Sequence, residues 1–240
     1  MSQTIVVTGG GSGIGAAVVR RLVSEGAHVT AVGRRSGPLD ALRNELGDAV
    51  APVSADVSTP DGAARVADQV DACAGVVAAA GGVGPHGGDD LDAVRATWQE
   101  SFASNVLTSV LLVEALRKQL EAAAGRVVLV SSIAALRGSG GGPYGAMKAA
   151  LHAYAFDLAK QLGQHGGTAN VVAPGFVPDT EFWDGRRTPE LVAERAAQTL
   201  IGRPGTPDEV ASLIAWLLGP DGGWVTGQIL SPNGGVVLGR

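Results

Sequence analysis

Residues 4–26 read TIVVTGGGSGIGAAVVRRLVSEG. The opening residues are β-branched and apolar without alternation, the pattern of a strand covered on both faces. From Gly13 the spacing changes, and Ile14, Val18, Leu22 and Val23 fall on one face of a helix. Between the two lies a turn with glycine at 9, 10, 11, 13 and 15. A strand that passes through such a turn into a helix gathers main-chain N–H groups at the positive end of the helix. A pyrophosphate can rest its charge there, and the glycines let the backbone approach it closely. The spacing is T-G-x-x-x-G-x-G, set by Thr8, Gly9, Gly13 and Gly15, and its weight comes from the strand–turn–helix context.

The same alternation runs outward through the chain. HVTAVG (28–33) reads as a buried strand, followed by a helix near 38–46 and a strand near 49–54. A helix near 60–71, a strand at 75–80 and one long helical pattern over 92–121 come next. RVVLVSS (126–132) is a strand, 142–163 a helix and GTANVVAP (167–174) a strand. An irregular segment, 175–187, leads into a short helix. Thr206, Pro207 and Glu209 then form a capping box with proline at the first helical position, so a helix covers 206–218. GQILSPNGG (227–235) supplies the last strand. Strands alternating with helices call for parallel pairing through crossovers, and no linker or repeat divides the 240 residues. The expectation is one doubly wound α/β domain over 1–240 with about seven strands and helices on both faces.

Composition narrows the function classes. Net charge is −5 with no basic stripe, which argues against nucleic acid as a partner. No apolar run approaches the roughly 20 residues of a membrane span, and the N-terminus has no signal-peptide form. A cytoplasmic protein is expected. The single cysteine, Cys73, reads as a small buried residue, and no metal-ligand spacing is present.

At the end of the second strand the sequence is VGRR. An acid there would accept from the ribose 2′-hydroxyl of NAD, but Gly33 is followed by Arg34 and Arg35. Arginine is the preferred fork for a phosphate. With Ser12 in the glycine loop, the pair points to NADP(H), with NAD(H) as the alternative.

GPYGAMK (142–148) holds one of two tyrosines and one of three lysines, four residues apart. On its own such a pair shares a helix face and does nothing more. Together with TGGGSGIG and the SS that ends a strand, it resembles the short-chain dehydrogenase/reductase family in its single-domain form. The likeness to 3-oxoacyl-[acyl-carrier-protein] reductase-like members runs nearly end to end. It extends through ADV with Asp56, SNV with Asn105, VVAPGFVPDT (171–180) and GTPDEVASLIAWLLGP…VTGQILSPNGG.

The resemblance implies a Rossmann-type sheet and reduction of a ketone to a secondary alcohol, with a β-ketoacyl thioester or polyketide-like carbonyl as substrate. It implies Tyr144 as proton donor, Lys148 lowering the phenol pKa and holding the cofactor ribose, a serine on the substrate oxygen, and Asn105 fixing a water that relays protons to Lys148. It further implies cofactor contacts at Gly9, Ser12, Gly13, Ile14, Gly15, Arg34, Arg35, Asp56, Val57, Ala80, Gly81, Tyr144, Lys148, Pro174, Gly175, Val177 and Thr180. The serine is assigned as Ser132, 12 residues before Tyr144, although Ser131 stands at the commoner spacing of 13. Strand alternation turns the two side chains to opposite sides, so one alone can serve. Tyr154 reads as packing.

AAAG (78–81) stands where the family usually carries NNAG, which marks a divergent branch. A substrate lid is expected at 176–203, with Phe176, Phe182 and Trp183 as an apolar wall and Arg186 and Arg187 at its mouth. The family usually forms tetramers through the helices near 92–121 and 142–163, so a homotetramer or homodimer is expected. Two other functions compete: an NAD-dependent alcohol dehydrogenase acting oxidatively, and a non-catalytic cofactor-sensing protein on the same fold.

Overall fold

The computed structural model describes residues 4–84, 88 and 90–239. Its strands are β1 (Thr4–Thr8), β2 (His28–Gly33), β3 (Val50–Ser54), β4 (Gly75–Ala78), β5 (Arg126–Val130), β6 (Thr168–Val172) and β7 (Ile229–Leu230). They form one seven-stranded sheet in the order β3-β2-β1-β4-β5-β6-β7, parallel at every pairing. The crossovers carry α1 (Gly13–Ser24), α2 (Ser36–Leu46), α3 (Pro60–Ala67), α4 (Leu91–Phe102), α5 (Thr108–Ala115), α6 (Arg117–Ala122), α7 (Ala134–Arg137), α8 (Tyr144–Gly163), α9 (Pro189–Ala197) and α10 (Pro207–Leu218).

Alternation along β1 shows how the strand serves two cores. Ile5 and Val7 pack with Val18, Leu22, Leu39, Ile214 and Leu217 on the face covered by α1, α2 and α10. Val6 packs with Val66, Leu112, Leu116, Leu151 and Leu158 on the face covered by α3, α5 and α8. The three residues between Thr4 and Thr8 are all apolar, and the pleat gives them to opposite sides. Thr8, at the last position, is also buried. Successive strands are added to one side of β1 as far as β3, then to the other from β4 onward. A crevice therefore opens at the carboxyl ends of β1 and β4, where the order reverses.

Several elements differ from the sequence reading in ways that matter for the site. The helical pattern over 92–121 is not one helix. A π-helical turn at Ala103–Leu107 separates α4 from α5, and Leu116, at φ −97° and ψ 6°, separates α5 from α6. The wide turn carries Asn105 into the crevice. The strand expected at 126–132 ends at Val130, which releases Ser131 and Ser132 from the sheet. Between β5 and α8, where the sequence reading places no element, lies the short helix α7. The last strand keeps two residues, because Asn233 folds the chain after it: its Oδ1 accepts from Gly235 N at 2.8 Å and its Nδ2 donates to Val237 O at 3.0 Å. Helix α10 opens on the expected box, with Thr206 Oγ1 accepting from Glu209 N at 3.2 Å and Thr206 N donating to Glu209 Oε2 at 2.9 Å. Cys73 is buried and its thiol is pushed up to about 12 by burial.

Candidate active site

Two clefts of about 730 and 820 Å³ adjoin along the strand ends and share Gly9, Ser12, Ala80 and Gly81, so they make one groove. The first is lined by Gly13, Ile14, Gly15, Tyr144, Lys148, Pro174, Gly175, Val177 and Thr180. The second is lined by Arg34, Arg35, Asp56 and Val57. Every residue singled out for cofactor contact lies on one or the other.

The groove is built to take main chain against ligand. A Cβ on Gly15 would lie 2.1 Å from Gly9 O, so the turn closes on itself only with glycine there. Ser12 is the N-cap residue of α1 yet makes no side-chain cap bond, and the first turn holds no acid. The helix end is left with unsatisfied donors and an uncompensated positive pole, which fits the pyrophosphate of a dinucleotide. Where AAAG replaces the family's asparagines, Ala80 N donates to Thr8 Oγ1 at 3.0 Å, so the tie between β1 and β4 persists through main chain.

Lys148 and Asn105 meet at Gly81. A Cβ on Gly81 would stand 2.8 Å from Lys148 Nζ and 2.7 Å from Asn105 Oδ1. Lys148 is 4% exposed and donates to Val130 O at 3.0 Å. Burial pushes its ammonium down to about 8. Asn105 grips the main chain of Gly82 from both ends, accepting from its N at 3.0 Å and donating to its O at 2.9 Å, and also donates to Ser101 O at 3.1 Å.

The two serines part as alternation requires. Ser131 Oγ turns into the layer beneath α8, donating to Lys148 O at 2.9 Å and lying 2.9 Å from His152 Nε2. Ser132 lines both the groove and a third cavity, and its Oγ accepts from Ala134 N at 3.1 Å. Tyr144 lines the same two spaces. Burial pushes its phenol up to about 12, opposed by hydrogen bonding with Ser132 and by the charge of Arg186. Lys148 Nζ, expected to act on the phenol, sits 6.0 Å from the ring centroid and donates to Val130 O. Tyr154 instead bonds Glu114 Oε1 at 2.9 Å, joining α8 to α5.

The third cavity, about 840 Å³, lies beyond Tyr144 under the segment 176–203. Phe182 stacks at 5.4 Å from Tyr144, and Trp183 meets Phe182 at 5.0 Å and Phe176 at 4.9 Å. Arg186 lies over Phe182 and Trp183 at 5.1 and 5.3 Å, while Arg187 pairs with Asp179 at 2.7 Å. Glu181, not singled out from sequence, reaches across the groove to Arg35 at 2.5 Å. An ion pair spanning 146 residues has no local signal that could have disclosed it.

A strand–turn–helix crevice, an all-parallel sheet in this order and a tyrosine and lysine one turn apart on α8 agree with the comparisons. The model of the family described as enoyl-(acyl carrier protein) reductase matches residues 9–237. A short-chain dehydrogenase/reductase oxidoreductase from Burkholderia thailandensis superposes with a TM-score of 0.89 at 31% identity, covering 100% of this chain and 94% of that one. The chain belongs to the short-chain dehydrogenase/reductase family. Galactitol 2-dehydrogenase (L-tagatose-forming) of Cereibacter sphaeroides is 33% identical, over 97% of this chain and 94% of its own. 3-Oxoacyl-[acyl-carrier-protein] reductase of Vibrio cholerae is 30% identical, over 98% of each chain. A short-chain dehydrogenase/reductase is an NAD(P)-dependent oxidoreductase, and these two names differ in substrate and direction. Among the described residues no helix is long and apolar enough to cross a membrane, and no group of three or more His, Cys, Asp or Glu is placed to hold a metal.

Proposed function

We propose that the protein reduces a ketone to a secondary alcohol with NADP(H), Tyr144 giving the proton. The observation that carries this is the position of Tyr144 and Ser132 on the wall common to the strand-end groove and the cavity beyond it. When bound, the cofactor supplies the hydride. Ser132 holds the carbonyl oxygen and strengthens that bond as charge develops there. Tyr144 transfers its proton to the same oxygen, burial having kept the phenol protonated until substrate arrives. Arg186 and Ser132 then stabilise the phenolate. Lys148 holds the ribose hydroxyls with the N–H groups that Val130 O does not use, and Asn105 fixes the water that returns a proton towards Lys148.

Preference for the phosphorylated cofactor rests on Arg34. Glu181 engages Arg35, whereas Arg34 has no carboxylate within ion-pair distance among the described residues. Arg34 is therefore the reader of the 2′-phosphate, with Ser12 beside it. One observation favours NAD and the oxidative direction: Glu181 places a carboxylate on the same groove wall. Titration of the protein with NADPH and NADH separates these. Tighter binding of NADPH, lost in Arg34→Ala, supports the first reading; equal binding, unchanged by that substitution, overturns it.

The remaining features belong to the same proposal. Residues 1–240 act as one domain, in the cytoplasm, with 176–203 as the substrate lid. Subunits associate through α4 and α8, as a homotetramer or homodimer. Val94, Trp98 and Phe102 repeat every four residues or so along α4 and are exposed, as is Phe156 on α8. In SVLLVEAL, by contrast, Leu112, Val113 and Leu116 are fully buried in the core.

A further inference from the structure

The cavity beyond Tyr144 carries three arginines from three segments: Arg137 on α7, Arg186 after the short turn Glu181–Trp183, and Arg195 on α9. Among the described residues no aspartate or glutamate lines it. This is unusual in a chain of net charge −5. Several arginines elsewhere are matched with acids: Arg20 with Glu45, Arg35 with Glu181, Arg187 with Asp179 and Arg203 with Glu209. None of the three cavity arginines has a carboxylate within ion-pair distance among the described residues. Arg137 reaches only the amide oxygen of Gln198, at 3.4 and 3.5 Å. Arg186 donates to Phe182 O and lies over two aromatic rings. The Nε of Arg195 is buried with no hydrogen-bond partner.

Arg137 and Arg186 are exposed at the mouth and Arg195 lies deeper; like charges gathered around one cavity repel, a bound anion relieves that repulsion, and the planar fork suits carboxylate or phosphate oxygens. Ile133, Phe176, Phe182, Trp183 and Val236 give the wall an apolar stretch beside polar Thr97, Ser101, Ser139 and Gln198. We propose that this cavity selects a carbonyl substrate with an apolar body and an anionic oxygen group, the anion held by Arg137, Arg186 and Arg195. The inference rests on the oxidoreductase reading above and names its substrate class. The anion takes no part in the chemistry: the carbonyl gains a hydride from the reduced cofactor and a proton from Tyr144, and the alcohol leaves with its charge unchanged. Two sources share this chemistry, a carboxylate on the substrate itself and the phosphate of a carrier arm in thioester linkage.

The test uses matched pairs at saturating NADPH: 4-acetylbenzoate against its methyl ester, and acetoacetyl-coenzyme A against acetoacetyl-N-acetylcysteamine. At least one anionic member is expected to exceed its neutral partner in kcat/KM by about tenfold or more, the worth of one charge-assisted bond. Arg195→Gln and Arg137→Gln should each bring that ratio towards one, chiefly through KM, and Arg195→Lys should restore part of it. Preference in the first pair alone identifies a carboxylate, in the second alone a carrier phosphate. Ratios near one in both pairs, or ratios that neither glutamine variant alters, overturn the proposal. Calorimetric titration with benzoate in the presence of NADP⁺ separates the two levels. Arginine-dependent binding of benzoate without turnover of any carbonyl sinks the reductase reading and keeps the anion site. Turnover of neutral ketones with no benzoate binding does the reverse.

Discussion

The two sides of Tyr144 are made of different material. The strand-end groove is walled by main chain: glycines of the β1–α1 turn, Ala80 and Gly81 after β4, Pro174 and Gly175 after β6. The cavity opposite is walled by side chains from α7, α9 and the segment between β6 and α10. One side is set by strands whose residues are almost all buried, so its shape is fixed by the core. The other is set by segments with few buried residues, α9 having none. A family can hold the first constant and vary the second, and the dehydrogenase and reductase relatives differ in the substrates their names carry.

The sharpest way to break this contrast is at the shared wall. Tyr144→Phe removes one oxygen and leaves the ring against Phe182. Turnover should fall about a hundred- to ten-thousandfold while affinity for the cofactor holds, as read by steady-state kinetics and fluorescence titration. Retained turnover would remove Tyr144 as proton donor. On the groove side, Gly15→Ala puts a methyl group 2.1 Å from Gly9 O. The turn must open, at a cost of about 1–3 kcal/mol in a thermal or urea melt. Cofactor affinity should fall with it; an unchanged Kd would mean the turn is not where the pyrophosphate rests.

This division also explains what the sequence disclosed. The groove is local: strand, turn and helix are contiguous, so TIVVTGGGSGIG carries its own geometry, and Tyr144 and Lys148 share a helix turn. Alternation separates Ser131 from Ser132, even though both lie just past the strand end, while the choice of Ser132 came from the resemblance. The π-turn at Asn105 was not legible, because nothing in SFASNVLTSV marks one extra residue in a turn. The cavity was least legible. Arg137, Arg186 and Arg195 come from α7, the segment after Trp183 and α9, which lie far apart in sequence. The part assigned to Lys148 came with the resemblance, since shared helix phase brings two side chains to one face without aiming them at each other; Nζ here donates to Val130 O.

Lys148 offers a test of stability against function. Its ammonium is buried with no carboxylate within ion-pair distance among the described residues, and its folded pKa of about 8 lies below the ordinary lysine value of 10.5. The charged form is therefore penalised in the folded state. The penalty is full below about pH 8, and stability rises as pH climbs from there towards 10.5. Lys148→Met should stabilise the cofactor-free protein at pH 7 by about 1–3 kcal/mol while abolishing turnover. The gain should shrink above pH 8 and vanish near 10.5, which melts across that range would show. A variant less stable than the parent at pH 7 would mean the bond to Val130 O outweighs the desolvation.

The smallest effect lies where the two regions touch. Glu181 belongs to the variable segment, but its carboxylate crosses to Arg35 at the end of β2. Both side chains are about half exposed, 63% for Arg35 and 47% for Glu181, so the pair is worth about 0.2–1 kcal/mol. Its effect on selectivity is larger than its effect on folding, because Glu181 neutralises one of two cations available to a 2′-phosphate. In Glu181→Gln, Arg35 is released to join Arg34, and the preference for NADPH over NADH in kcat/KM should rise about two- to fivefold. If the ratio falls instead, Glu181 is repelling nothing and serves to hold Arg35 in place for the phosphate. If it rises because NADH alone weakens, the carboxylate is itself a ribose acceptor, and the variable side of the molecule sets the cofactor as well as the substrate.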